Sequence, residues 1–131
     1  MATPRRIRRN EHFDALNEID RLFRRQFQTA RAENNEEFDT STTLRWTIPA
    51  SGGLSYMLIL TMDANSILVR GGTGSRWTDI NWNKCLREKI DIGRMKPLLI
   101  PQEGTDAAIR MFRKLRLGHC RRQNLETLLA A

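Results

Sequence analysis

Residues 44–70 constrain the fold more than any other part of the chain, because turn sequences separate three short apolar runs there. In the first run, apolar and polar residues alternate with the period of a half-buried strand: Leu44, Trp46 and Ile48 are the apolar members. The second run, 56–62, is apolar on both faces, which is typical of a covered central strand. Gly52-Gly53 and Asp63-Ala64-Asn65 supply turn residues. The stretch therefore predicts a three-stranded antiparallel meander.

Helical periodicity on both sides of the meander predicts an α+β fold. Apolar residues spaced three or four apart indicate an N-terminal helix from Asn10 to about Arg31. A second helix is expected from Thr78 or Asp79 to about Ile90, and a third from Thr105 to Gly118. The run 94–101 contains two prolines and is expected to be extended. The expected order is an N-terminal helix, a three-stranded antiparallel meander, two helices and a short C-terminal helical tail over 123–131 (αβββαα).

The length of 131 residues predicts one domain. Residues 1–9 contain four arginines and a proline, and we expect them to be a flexible basic arm. Residues 10–131 are expected to form the single α+β domain. Within it, 34–43 is a polar stretch with three acidic residues, which predicts an exposed loop that faces away from any polyanion.

The charge balance favours a polyanionic partner. The formal net charge is +7, and the 22 basic residues comprise 18 arginines and only four lysines. Arginine suits bidentate phosphate contacts and stacking on bases, and the sequence pI of about 10.4 is typical of nucleic-acid binding. The alternatives are that the charges are only solvated, or that they bind an acidic protein.

Two helices supply most of the candidate phosphate-binding residues. The segment from Thr105 to Arg122 contains a single acid, Asp106, and it is the densest basic region outside the N-terminal arm. We expect phosphate contacts from this segment and additional ones from the first helix and the glycine-rich loop 71–76. The candidates are Arg110, Arg113, Lys114, Arg116, Arg121, Arg122, Arg21, Arg24, Arg25 and Arg76. The competing interpretation is an ordinary solvated helix face, with basic residues placed to suit the helix dipole.

The element order resembles the layout of double-stranded RNA-binding domains. The Lys-Lys pair that those domains carry after the third strand is absent, because Thr78-Asp79-Ile80-Asn81 stands there. No recognition helix of the helix-turn-helix type is evident. We therefore expect recognition of RNA, double-stranded or structured, more than DNA. Small basic domains are common among viral and phage accessory proteins, and an antagonist of host defence is the biological setting that this suggests.

Motifs for catalysis or for a cofactor are not evident. The 71–76 loop lacks the Lys of a P-loop, and the two histidines have no nucleophile elbow nearby. His119-Cys120 is one adjacent pair, too few ligands for zinc, and the carboxylates of 36–39 lie in a polar loop. We predict a protein that is not an enzyme and that holds no cofactor or metal.

A protein-interaction module is the alternative function. The chain would form a homodimer, or join a larger complex, through its sheet or through the Leu-rich tail with Leu125, Leu128 and Leu129. No apolar run reaches the roughly 20 residues that span a bilayer, and no signal-peptide core follows the N-terminus. The sequence therefore predicts a cytoplasmic protein with no membrane partner.

Overall fold

The computed structural model of the chain describes residues 3–32 and 43–130. Two helices and five strands make up these residues: α1 (Thr3–Gln26), β1 (Arg31–Ala32), β2 (Thr43–Pro49), β3 (Ser55–Met62), β4 (Ser66–Gly74), β5 (Leu86–Asp91) and α2 (Ile100–Ala130). Single turns of 3-10 helix lie at Trp77–Asp79 and Pro97–Leu99. The architecture is α+β, with both helices on one face of an antiparallel sheet in the order β1-β2-β3-β4-β5.

The three predicted strands are present as β2, β3 and β4. Trp46 stands opposite Leu58, and Leu58 stands opposite Gly71, so these residues share one face of the sheet. The turn between β2 and β3 contains Gly52 and Gly53 at φ +71° and +74°, which L side chains rarely adopt. In the next turn the Asp63 carboxylate accepts two backbone N–H bonds at 2.7 Å, and these bonds lower the pKa of Asp63.

The core lies between the helices and the face of the sheet that carries Trp46. Trp46 is fully buried, stacks on Phe23 of α1 with 4.3 Å between ring centroids, and donates its indole N–H to Asp20 at 2.9 Å. Leu16 and Ile19 complete the buried stripe of α1, as the helical periodicity predicts. The buried indole donor thus has a partner, which avoids the cost of an unsatisfied polar group.

The two helices run side by side in the same direction. Ile19 of α1 meets α2 at Gly104, and eight residues further along each segment Phe27, which directly follows α1, meets Phe112 with ring centroids 4.6 Å apart. A Cβ atom at position 104 would stand 2.6 Å from the Ile19 Cδ1 atom. Gly104 therefore permits the close approach of the helices.

The prediction of a three-stranded meander followed by two helices is wrong, because the sheet has five strands. β5 occupies the region predicted as the second helix, and β1 occupies the end of the predicted first helix. In β5 the charged residues lie between Leu86 and Ile90, a spacing of four that also fits a helix. Pairing with β4 over residues 66–71 satisfies the backbone of β5, and its charged side chains suit an exposed edge strand.

The helix predicted for 105–118 is the middle of one longer helix. α2 begins at Ile100, and Pro101 lies in the first turn, where a backbone N–H has no helical partner. Thr105 does not cap the helix: its hydroxyl donates to the Pro101 carbonyl oxygen at 2.7 Å. Gly118 does not end it either, since one internal glycine costs only about 1 kcal/mol relative to alanine.

The glycine-rich segment 71–76 is mostly strand. β4 continues to Gly74, so the predicted loop begins only after it. A Cβ at Gly71 would stand 2.8 Å from the Met111 side chain, and one at Gly72 would stand 2.7 Å from Ile80. These glycines allow close packing. Because residues 78–81 form no α-helix and only a single 3-10 turn at Trp77–Asp79 follows β4, the layout resemblance to double-stranded RNA-binding domains is also wrong.

Two predicted segments lie partly or wholly outside the described residues. The loop expected at 34–43, with its acidic residues, lies outside the described residues up to position 42. Helix α1 begins at Thr3 and so overlaps the segment 1–9 that we interpret as a basic arm. Its separation from the domain stays a prediction. Neither α1 nor α2, over the residues described, has a window long and apolar enough to cross a membrane.

Candidate nucleic-acid interface

The exposed side of α2 carries the largest group of predicted phosphate-binding residues. Residues 107–125 contain no aspartate or glutamate. At 100° per residue, Arg110, Lys114 and Arg121 fall within an arc of about 40°, and Arg113 lies about 60° from that arc. All six predicted residues of this helix are exposed: Arg110, Arg113, Lys114, Arg116, Arg121 and Arg122.

Most of these cations have no acidic partner. Arg110 is the exception, with its Nε 3.0 Å from the Glu88 carboxylate of β5. The Arg116 guanidinium lies 5.6 Å from the centre of the Phe112 ring, a cation–π contact that leaves its charge unneutralised. The other four form no ion pair with any residue that the structure describes. This helix therefore keeps a field of unpaired positive charge.

Two of the three predicted arginines of α1 form ion pairs with acids of the same helix. Arg21 donates to Glu18 at 3.0 Å, and Arg24 forms a 2.6 Å ion pair with Asp20. The Arg21 hydrogen bond lowers the pKa of Glu18, and the pKa of Arg21 is raised in return. Arg25 is exposed and has no ion pair among the described residues. α1 thus offers less free charge than its arginine count suggests.

Arg76 belongs to neither helix. It is exposed in the turn after β4, where its backbone N–H donates to the Asp79 carboxylate at 2.9 Å. Ser75 donates to the same oxygen at 3.0 Å. The carboxylate thereby fixes the turn, and Arg76 does not join the α2 group.

α2 reaches the β2–β3 turn at His119 and continues beyond that residue. His119 is buried, with its Nε2 3.1 Å from the Ser51 hydroxyl in the β2–β3 turn and its ring edge-on to Tyr56. Burial also raises the pKa of Tyr56. From His119 to Ala130 the helix extends for about 16 Å. Leu125 and Leu129 are exposed on this extension, at 56% and 78%.

The sheet face opposite the helices is a basic surface that our sequence analysis missed. Cross-strand register aligns Arg45, Ile59, Arg70 and Arg87 in one row, and Lys89 stands opposite Leu68 in the next. Residues opposite each other share a face, so the row presents three arginines on one side. The period-two pattern contained this signal, because the same alternation that buries Leu44 and Trp46 turns Arg45 to the other face.

Two tryptophans close one end of this face. Trp77 and Trp82 stack with 5.4 Å between ring centroids, and the Arg45 guanidinium lies 5.6 Å from the Trp77 ring centre. Arg87 donates to the Trp82 and Asn83 carbonyl oxygens at 3.2 and 2.9 Å. These contacts fix the segment before β5. Trp82 is half-buried.

Titratable groups that could support other chemistry are sparse in the part of the chain described here. No three His, Cys, Asp or Glu side chains lie close enough together to hold a metal ion among those residues. Cys85 and Cys120 are both free thiols. Comparisons with protein-family models, with curated proteins and with solved structures give no match.

Proposed function

We propose that this chain binds nucleic acid, with double-stranded or structured RNA favoured over DNA, through the exposed side of α2. One observation carries the proposal. Between Asp106 and Glu126 the helix has six arginines and lysines and no acid, and only Arg110 among them is ion-paired within the described residues. A polyanion is the partner that compensates such a surface.

Binding would proceed by neutralisation of backbone phosphates and release of their counterions. Arginine forks on α2 would each bracket a phosphate with two N–H donors. Because the six cations are spread over about 18 Å of one helix, the surface matches a run of phosphates better than one base edge. Recognition would therefore depend on backbone shape more than on sequence, and no catalytic step is part of the proposal.

The placement of the helices supports RNA over DNA. A helix-turn-helix reader needs two helices joined by a short turn, with the second free to enter a major groove. α1 and α2 are instead separated by the sheet in sequence, and both pack on it. The deep, narrow major groove of duplex RNA is not read by side chains, so recognition of RNA duplexes uses shape and backbone contacts, which α2 can make from outside the groove.

A salt titration tests the proposal. Binding of the full chain to a fluorescently labelled mixed-sequence RNA duplex is measured by anisotropy between 50 and 300 mM salt, beside single-stranded RNA and duplex DNA. We expect log affinity to fall linearly with log salt, with a slope of about −4 or steeper for the RNA duplex. An absence of binding at the lowest salt would overturn the proposal.

Matched double substitutions locate the surface. Arg113→Gln with Arg121→Gln removes two unpaired charges from α2, whereas Arg21→Gln with Arg24→Gln removes two paired charges from α1. We expect the α2 variant to reduce the salt slope by about 2 and the α1 variant to reduce it by less than about 0.5. Arg70→Gln with Lys89→Gln makes the same change on the opposite sheet face. A larger effect there than on α2 would move the interface to the sheet.

A protein-interaction module is the second candidate, and the exposed leucines of the α2 extension favour it. Leu125 and Leu129 would meet the same residues of a second copy in a homodimer, or an apolar patch of another protein. Sedimentation equilibrium of the full chain, with Leu125→Gln and Leu129→Gln as the dissociating variant, tests this function. A tight oligomer that binds no nucleic acid at low salt would replace the first proposal with the second.

The proposed setting is the cytoplasm, in a viral or phage accessory role. The two free thiols support a reducing compartment, since neither is in a disulfide. Expression of a tagged full chain followed by cell fractionation tests the compartment. Enrichment in the cytosolic fraction would agree with the proposal, and enrichment elsewhere would contradict it.

A further inference from the structure

A cleft of about 290 Å³ lies between the end of β4, the segment before β5 and the side of α2. Its position follows from the sheet: β5 pairs with β4 only as far as Leu86 opposite Gly71. Gly72 and Thr73 continue β4 without a neighbouring strand among the described residues on that side. The cleft occupies the space that a longer β5 would fill. Part of its floor is therefore β4 backbone that pairs with β3 but has no neighbouring strand on the β5 side among the described residues.

Three cations surround this cleft. Lys84 comes from the segment before β5, and Lys114 and Arg122 come from α2, eight residues apart on the same side of the helix. None of the three has an ion pair among the residues described. The cleft also contains Asp79, whose carboxylate oxygen already accepts the Ser75 and Arg76 N–H bonds. The lining therefore has a net charge of about +2, which matches one dianion.

The cleft also has an unsatisfied polar atom and an apolar wall. The Thr73 hydroxyl is buried and has no hydrogen-bond partner in the described part of the chain. A buried hydroxyl without a partner costs about 1–3 kcal/mol, and an acceptor oxygen on a ligand would remove that cost. Ile80, Leu86 and Leu115 line the other wall.

Gly118 keeps the cleft open on the helix side. It lies between Lys114 and Arg122 on α2, and nothing stands within 4 Å of where its Cβ would be. Any larger side chain at this position would enter the cleft without disturbing the core. The volume is close to the lower end of small-ligand sites, about 300 to 1,000 Å³, so the occupant is of nucleotide size or smaller.

We propose that this cleft binds a phosphate monoester, either on a free nucleotide or at the 5′ end of a nucleic-acid strand. A monoester carries about −1.5 to −2 charges at neutral pH, whereas each backbone diester carries one, so the cleft's net charge favours the monoester. Lys84, Lys114 and Arg122 hold the phosphate oxygens, and Thr73 donates one hydrogen bond. The inference goes beyond the proposed function, because the ligand needs no diester backbone, although the cleft shares Lys114 and Arg122 with the α2 surface.

Titration of the full chain with adenosine 5′-monophosphate, followed by calorimetry and by amide chemical shifts, tests the site directly. We expect saturable binding of the monophosphate, no binding of adenosine, and amide shifts concentrated at Gly72, Thr73 and Gly118. Gly118→Leu fills the cleft and leaves its charge unchanged, so it should weaken monophosphate binding at least about tenfold. Lys84→Gln with Arg122→Gln should do the same by removing charge.

Arg113→Gln with Arg121→Gln is the matched control, since it removes two charges of the same helix surface that do not line the cleft. The affinity of this control variant for adenosine monophosphate should stay within about twofold of the wild-type value. If Gly118→Leu and the control bind adenosine monophosphate as wild type does, or if wild type binds none and ignores a 5′-phosphate on RNA, the proposal is overturned.

Two RNA duplexes that differ only in a 5′-phosphate identify the source of the monoester. A preference of at least about fivefold for the phosphorylated duplex that Gly118→Leu abolishes assigns the site to strand ends. Monophosphate binding without any such preference assigns it to free nucleotides, and both results support the site. Binding of the 5′-hydroxyl duplex reports the α2 surface alone, so failure of the cleft and failure of the proposed function remain distinguishable.

Discussion

The two helices lie side by side on one sheet face and both carry many arginines, yet these arginines differ in whether an acid neutralises them. In α1, acids three or four residues earlier pair with Arg21 and Arg24. In α2, nineteen residues pass without an acid, and among the residues that the structure describes one arginine of this helix reaches a carboxylate, on β5. Electrostatic potential depends on net charge in space, so the number of arginines in a helix does not by itself set its field. The comparison teaches that the spacing of acids decides which arginines are available.

The largest effect should come from the residue that joins α1 to the sheet. Phe23→Ala removes a fully buried ring stacked on Trp46, and we expect a loss of about 3–5 kcal/mol in the free energy of unfolding. Leu129→Ala, on the extension of α2, should change it by less than about 0.5 kcal/mol. Urea denaturation measures both. Equal losses would mean that the α2 extension is also packed.

The two glycines of α2 should respond in opposite directions. Gly104→Ala places a methyl group against Ile19 at the contact between the helices, and we expect a loss of about 1–3 kcal/mol. Gly118→Ala meets nothing within 4 Å, so the higher helix propensity of alanine should stabilise the protein by up to about 1 kcal/mol. Midpoints of thermal unfolding compare the pair. Stabilisation by both substitutions would show that the helices are not in close contact.

An acid placed among the α2 arginines should make α2 resemble α1. Leu117→Glu puts a carboxylate four residues from both Arg113 and Arg121, at an exposed position. We expect affinity for duplex RNA to fall about tenfold, and Leu117→Gln to change it less than about twofold. Anisotropy titrations at fixed salt compare them. Equal effects of the two substitutions would show that the charge of this surface does not control binding.

The smallest expected effect is a titration in α1. Arg21 lowers the pKa of Glu18, so the pair's contribution to stability is complete above the ordinary glutamate pKa of about 4.3. It is lost as the pH falls through the lower folded value. NMR titration of the Glu18 carboxyl carbon should give a midpoint below that of a model peptide, and Arg21→Gln should restore the ordinary midpoint. An unshifted wild-type midpoint would mean that Arg21 does not pair with Glu18 in solution.

Much of the fold could be predicted from local pattern. The alternation around Trp46 specified β2, and the apolar run of β3 specified a strand buried on both faces, because a period of two is a property of the extended backbone itself. The helical periodicity likewise identified Phe23 and Phe112 as core residues. These features could be predicted because side-chain direction follows directly from backbone conformation.

Only the tertiary structure decided the remaining elements. The residues of β5 fit a helix or a strand equally, and the free backbone groups of β4 selected the strand. Gly118 is typical of a helix end, but α2 continues past it, and Met111 and Phe112 of the same helix are buried against the sheet. Local signals can be overridden where burial contributes more free energy than a single glycine costs.

The candidate sites divide in the same way. The sequence by itself determined that arginines crowd residues 107–125 without an acid, since both facts are matters of residue order. The tertiary structure decided that Glu88 reaches Arg110, that Lys84 comes beside Lys114 and Arg122, and that three arginines align across the other sheet face. These neighbours are distant in sequence, and only chain topology brings them together.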